Sequence, residues 1–393
     1  MNPNSKNIRT GDSPGGVPCG RQHNILVLEN ELEMGGLERI LYEIFSRVDP
    51  AHFGVRVCCL KAGGFFKDAW VDLGMPFYDH IMKYKYDLAA YRRLDKILSA
   101  EKIDLIYTLA HPNTILFSWL ARRTGRVKKV VVAIHGSGGP RGGRLIKNYQ
   151  KPFLRTVDRF IAVAHEHKRH LVESEGLDAD KIEVIHNGVD VNRFKPGSPD
   201  DTLRMKLGIQ SDDLVITTVA SLHAYKCIDA LLRAAARIVA ERDRVRLLIV
   251  GDGPERSNLL KLAGALGLRD KVIFTGVVEN VDEILRLSDV FVLASRTEAF
   301  PVAILEAMAT ALPVIATDVG SVGELVTDGE TGWVVPAMDV DALYNAMRSF
   351  VADRNGAARY GTAGRRAVET RFTVEGMCRK QERVLGDLLC RSS

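Results

Sequence analysis

Residues 290–308 read V-F-V-L-A-S-R-T-E-A-F-P-V-A-I-L-E-A-M, an apolar run, a polar loop and a second apolar run. A short run of consecutive apolar residues fits a strand buried on both faces, as in a parallel sheet. The run after Pro301 fits a helix, because proline suits a first helical position where its missing N–H costs nothing. Strand, loop and helix in that order form one step of an α/β fold. Two glutamates with seven residues between them, Glu298 and Glu306, fall on the loop and inside the helix. No other charge occurs from Pro301 to Ala311, so Glu306 is not part of a solvated face. A carboxylate on so apolar a helix needs partners, because burial without them costs several kcal/mol. Hydroxyls of a bound ligand would serve, as would a basic residue from the other half of the chain.

The same alternation runs outward in both directions. Apolar runs beginning at Asn24, Val55, Asp104, Val130, Phe160 and Ile182 read as strands of a first parallel sheet. Runs beginning at Leu214, Arg246, Val272, Val290, Pro313 and Trp333 read as strands of a second. Between them, H-N-G-V-D-V-N-R-F-K-P-G-S-P-D-D is rich in the residues of turns, which places a linker near Asp190 to Pro199. A length of 393 residues agrees with two cores rather than one. The predicted organisation is a disordered tail over 1–22 and two Rossmann-like, doubly wound domains over 23–190 and 191–375. A last helix over 376–393 is expected to pack back on the first domain. Strands in such sheets aim their carboxyl ends at a shared cleft, where ligands bind.

Composition narrows the function classes. Hydrophobic content of 46% and charged content of 26% are those of a globular protein, and no apolar stretch approaches the length of a membrane span. Met1 to Arg21 lacks the apolar core of a signal peptide. Six cysteines without C-x-x-C or metal spacing fit ordinary thiols in a reducing cytoplasm. Residues 1–190 hold 28 Lys+Arg against 22 Asp+Glu, while the rest of the chain is nearly balanced. A basic first half suits an anionic acceptor or lipid surface, or is simply a solvated surface with a modest excess. The basic candidates are Arg122, Arg123, Arg126, Lys128 and Lys129, and the stepped series Arg141, Arg144, Lys147, Lys151, Arg155, Arg159. No interleaved aromatic pattern accompanies them, which speaks against nucleic acid.

Two glycine-rich turns follow strands. Gly35 and Gly36 open a helix containing Ile40, Leu41 and Ile44, where backbone N–H groups could meet a phosphate. L-I-V-G-D-G-P-E-R, with Gly251, is a strand, a tight turn and a helix start. It is neither a P-loop nor a dinucleotide fingerprint.

Taken together, these segments resemble a known family, the retaining glycosyltransferases of the GT-B fold (family 4-like, glycosyl transferases group 1). The resemblance covers nearly the whole chain after the tail. It rests on G-G-L-E-R, I-H-N-G-V-D-V-N-R-F, V-G-D-G-P-E-R, V-I-F-T-G, the Glu298–Glu306 block, P-V-I-A-T-D-V-G and D-G-E-T-G-W-V-V-P.

The resemblance implies transfer of a hexosyl group from a UDP-, GDP- or ADP-sugar to a hydroxyl of a glycan or glycolipid acceptor. Glu306 looks like the carboxylate that grips the ribose diol, and Glu298 like the one at donor-sugar hydroxyls. Backbone N–H groups along Ala299, Phe300, Pro301, Val302 and Ala303 would face the β-phosphate, with Val302 and Ala303 as donors because proline has none. Lys226 matches a diphosphate-binding lysine and His135 a histidine near the reacting centre. Two departures stand out. Ser221 occupies the place of the family's diphosphate-binding arginine, and Cys227 that of a glycine. A serine does not reproduce a bidentate arginine contact, so Arg296 or His223 is expected to supply the charge, with Arg296 preferred because it is always ionised.

The resemblance also implies retention of configuration, no catalytic metal and no cofactor beyond the donor. The D-x-D spacings Asp178/Asp180 and Asp339/Asp341 read as loop and cap residues. Acceptor contacts are expected from His111 to Asn113, Gly136 to Gly143 and the Gly35 loop. A role in cell-envelope polysaccharide or lipopolysaccharide synthesis follows by resemblance, in the cytoplasm or peripherally at the inner membrane face. The rival readings are an epimerase or hydrolase on the same fold, an inactive sugar-nucleotide-binding module, and, least favoured, an NAD-dependent dehydrogenase.

Overall fold

A computed structural model describes residues 21–32, 35–84, 87, 89–136 and 151–390. Residues 1–20 of the tail, most of the Gly136–Gly143 loop, and Arg141, Arg144 and Lys147 lie outside them.

The first sheet contains β1 (His23–Glu29), β2 (Phe53–Cys59), β3 (Phe77–Tyr78), β4 (Leu105–Leu109), β5 (Lys129–Ile134), β6 (Arg159–Ala162) and β7 (Ile182–Val184). The second contains β8 (Leu214–Val219), β9 (Val245–Val250), β10 (Val272–Gly276), β11 (Val290–Leu293), β12 (Val314–Thr317) and β13 (Trp333–Val335). Their orders are β3-β2-β1-β4-β5-β6-β7 and β10-β9-β8-β11-β12-β13, and neighbours pair in parallel. Each order reverses once, between β1 and β4 and between β8 and β11. Such switch points leave a crevice at the carboxyl ends, because successive helices depart to opposite faces.

Alternating side chains explain why both faces are covered. Ile25 and Val27 join one apolar cluster while Leu26 and Leu28 join another on the opposite face. The second sheet divides likewise, with Val290 and Val292 in one cluster and Phe291 and Leu293 in the other. The helix after β11 spans Val302–Ala309, with Pro301 as its N-cap rather than its first residue.

The chain passes between the halves twice, and the two crossings touch. The Val189 N–H donates to the Phe372 carbonyl at 2.9 Å, and the Val374 N–H to the Val189 carbonyl at 3.0 Å. The last helix, Val374–Cys390, lays Met377, Cys378, Leu385, Leu388 and Leu389 into the cluster around Ile25 and Val27. Thus the end of the chain completes the core of its beginning. Cys58, Cys59, Cys227 and Cys378 are free and buried. Cys390 is disulfide-bonded, which departs from the expectation of six ordinary thiols. Among the described residues, no helix is long and apolar enough to cross a membrane.

Candidate active site

A cavity of about 1020 Å³ lies between the domains, lined by segments that follow β1, β5, β8 and β11. Lys226 follows β8 and Glu298 follows β11, the two strands flanking the second reversal, so topology brings them together. Lys226 Nζ donates to Glu298 Oε1 at 2.6 Å, and Ser295 Oγ donates to the same oxygen at 2.6 Å. Both charged side chains are largely buried. One carboxylate oxygen is therefore clamped by an ammonium and a hydroxyl at the cavity wall.

Two close backbone approaches hold these loops. Gly251 has φ 123°, and a Cβ there would lie 2.1 Å from the Ala220 carbonyl oxygen. Gly320 has φ 52°, and its Cβ would lie 1.8 Å from the Glu298 carbonyl oxygen. Only glycine adopts the left-handed region cheaply and permits such an approach. Beside Gly320, Ser321 Oγ bonds the Ala299 carbonyl, and Thr317 Oγ1 donates to the Ser295 carbonyl at 2.6 Å. The loop after β12 is thus a buttress for the loop carrying Glu298. Cys227, where the family has glycine, sits at φ 48° and shows why glycine suits that position.

Glu306 is 8% exposed and lines the cavity. Its side chain makes no ion pair or hydrogen bond with the described residues. Burial raises its pKa to about 7, opposed by the positive charges of Arg39 and Arg193. Arg39 lies on the Gly36–Phe45 helix of the first domain, and Arg193 follows the crossing. The buried acid faces a two-domain cavity with cations near it, rather than being locked to one.

The other expected residues fall around the same space. Gly35, Gly36, His135, Ser221, Gly251, Ala299, Phe300, Pro301, Val302 and Ala303 all line it. Gly35 is an extended N-cap without a side-chain cap bond, and the Glu38 carboxylate lies close over it. His135 follows β5, and neither ring nitrogen has a hydrogen-bond partner among the described residues. Burial lowers its pKa to about 3, so the ring is neutral near pH 7 and has hydrogen-bonding capacity to offer.

Arg296 and His223 are placed differently. Neither is among the residues lining the cavity. Along Ser295–Glu298 the buried side chains are Ser295 and Glu298, and Arg296 points outward, exposed. His223 is exposed and stacks on Tyr225, with centroids 5.6 Å apart. Among the described residues, the arginines that line the cavity are Arg39 and Arg193, the latter paired with Asp282 at 3.1 Å. Both lie in segments that carry the resemblance, G-G-L-E-R and N-R-F, but were given no role there.

On the expected acceptor side, His111 Nδ1 accepts from the Asn113 N–H at 3.3 Å, capping a helix outside the cavity lining. From the first domain the cavity lining instead includes Leu37, Tyr42, Phe65 and Phe66. Four residues of the Arg122–Lys129 patch sit beside acids. Arg122 and Lys129 approach Asp158, Arg126 pairs with Asp95, and Lys128 approaches Asp104. That pairing favours a locally neutralised surface. Asp178 and Asp339 accept backbone N–H groups from Asp180 and Ala342, as loop and cap residues do.

Residues 199–367 match the family model described as glycosyl transferases group 1, and residues 34–193 match that of glycosyltransferase family 4. The N-acetyl-alpha-D-glucosaminyl L-malate synthase of Bacillus anthracis is 27% identical over 77% of this chain and 80% of its own. The UDP-Gal:alpha-D-GlcNAc-diphosphoundecaprenol alpha-1,3-galactosyltransferase of Escherichia coli is 28% identical, covering 82% and 86% respectively. Among solved structures, Anabaena Alr3699/HepE in complex with UDP-glucose has a TM-score of 0.81 at 22% identity, over 93% of this chain and 99% of its own. WaaG, a glycosyltransferase involved in lipopolysaccharide biosynthesis, has a TM-score of 0.72 at 18% identity, over 93% and 99%. At these identities the structural likeness establishes the fold.

Proposed function

This chain belongs to the glycosyl transferases group 1 family and has the GT-B fold, and from that premise we propose the following reaction. It moves a hexosyl group from a nucleotide-diphosphate sugar to a hydroxyl of a glycan or glycolipid acceptor. Configuration is retained, and no metal takes part in the transfer. The observation that carries this reading is Glu306, a buried carboxylate lining the interdomain cavity without a protein partner among the described residues. A ribose diol offers two hydroxyl donors that satisfy it.

The rest of the site then divides the work. Cleaving a sugar–diphosphate bond builds negative charge on the phosphate, which Lys226 and the Val302 and Ala303 N–H groups neutralise. Arg193 and Arg39 add positive potential at the cavity where Ser221 provides none. Glu298, held by Ser295, accepts from donor-sugar hydroxyls, and neutral His135 meets the transferred sugar. The acceptor hydroxyl attacks from the face that the phosphate leaves, and the departing phosphate oxygen takes its proton. The first-domain wall receives the acceptor. The Escherichia coli relative, whose name specifies a diphosphoundecaprenol-linked acceptor, supports an envelope glycolipid and a peripheral location at the inner membrane face.

The test is a melting-temperature screen against UDP-, GDP- and ADP-sugars, followed by product analysis with and without acceptor. A donor at one hundred times its Kd adds about 2.7 kcal/mol of stability, a readable shift. Transfer to an acceptor with retained configuration supports the proposal. Products independent of any acceptor would indicate an epimerase or hydrolase instead.

A further inference from the structure

Behind the cavity, three side chains from separate parts of the chain converge on the domain boundary. His165 begins the His165–Glu173 helix and His186 follows β7, both in the first domain. Glu324 lies on the short Val322–Leu325 helix of the second, next to the Gly320–Ser321 buttress. One ligating atom from each falls within 4.8 Å of the others. We propose that His165, His186 and Glu324 form an interdomain site for a divalent transition metal such as Zn²⁺, clipping the two domains together.

The chemistry of the set suits such an ion. Two imidazoles and one carboxylate are a zinc donor set that leaves a fourth position for water. Tetrahedral ligands about 2.1 Å from zinc stand about 3.4 Å from one another, so the existing spacing needs only modest side-chain movement. Supporting contacts are in place. The Glu324 oxygens accept the N–H groups of Glu166 at 2.8 Å and His165 at 3.1 Å, which fixes the carboxylate while leaving lone pairs. His186 packs against the Phe300 and Phe372 rings, at centroid distances of 5.2 and 5.5 Å. Outer contacts of this kind orient metal ligands. His186 Nε2 lies 2.8 Å from Glu324 Oε2, and ion binding replaces that hydrogen bond, with the imidazole proton moving to Nδ1. His165 is exposed and gives the ion a path of entry.

This site is separate from the donor contacts, so its test does not depend on the proposed reaction. The experiment titrates Co²⁺ alone, a visible probe for zinc sites, into the tag-free, metal-stripped full chain. The expected result is a saturable visible band at one equivalent, lost on adding Zn²⁺, with micromolar Zn²⁺ raising the melting temperature. His165→Ala is expected to weaken binding at least tenfold while the metal-free melting temperature stays unchanged, and Glu324→Gln should weaken it as well. Absence of a one-equivalent band, or its persistence at full affinity in His165→Ala, would overturn the proposal. A band with the intense charge transfer of thiolate ligands would place the ion on cysteine instead and equally overturn it.

Discussion

Glu306 and Glu298 are both acids at one cavity, yet their surroundings differ. Glu298 shares an oxygen with an ammonium and a hydroxyl, while Glu306 has burial against it and the charges of Arg39 and Arg193 in its favour. In the unfolded chain Glu306 ionises near its ordinary 4.5, and in the folded chain at about 7. The stability associated with its proton is therefore complete below about 4.5 and is lost as pH rises through about 7. Glu306→Gln removes this dependence. The variant should match the ligand-free wild type near pH 4 and exceed it above pH 7 by at most about 3 kcal/mol, measured by denaturant melts. Donor binding should show the converse. If the ionised carboxylate grips the diol, nucleotide affinity rises with pH through about 7 and levels off above it, with proton release visible by calorimetry in two buffers. Glu298→Gln should leave nucleotide affinity near normal while lowering kcat about tenfold to a hundredfold, the scale of a hydrogen bond to a charged group. Unchanged turnover would remove Glu298 from the site.

At the scale of elements, the β8–β11 reversal and the β12 buttress explain why the site is rigid. Gly320→Ala forces a Cβ into the Glu298 carbonyl, so the loop must move. The variant should lose about 1–2 kcal/mol to left-handed strain and more to the displaced loop, with a larger loss in kcat than in nucleotide affinity. Assaying kcat and KM beside a thermal melt checks this. Much of the element layout was legible in sequence. All twelve expected strand runs are strands in the structure, because buried parallel strands are continuous apolar runs that side-chain type alone reveals. Phe77–Tyr78 escaped because a two-residue edge strand carries no period. The loop carrying Glu298 was readable, but its buttress was not, since Gly320 matters through a contact in space. Arg193 and Arg39 were missed for the same reason, as charge at a site depends on where side chains point. His165, His186 and Glu324 share no spacing at all, and only folding brings them together.

On the scale of the whole molecule, the last helix makes the two domains interdependent. Leu385 is fully buried among first-domain residues although it lies at the far end of the sequence. Leu385→Ala should cost about 2–5 kcal/mol, the range for a buried leucine, and lower the melting of the first domain in particular. The cleft exists because each sheet points its carboxyl ends inward and the doubled crossing at Val189 and Thr373 joins the halves. Its proposed function as a donor site depends on Glu306 above all. The most direct measurement is isothermal titration of the full chain with UDP-, GDP- and ADP-sugars, run beside Glu306→Ala. One nucleotide class should bind the wild type with one-to-one stoichiometry, and Glu306→Ala should weaken it about tenfold to a hundredfold, the loss of charge-assisted hydrogen bonds. Equal affinity in the variant, or no binding of any donor by the wild type, would contradict the account.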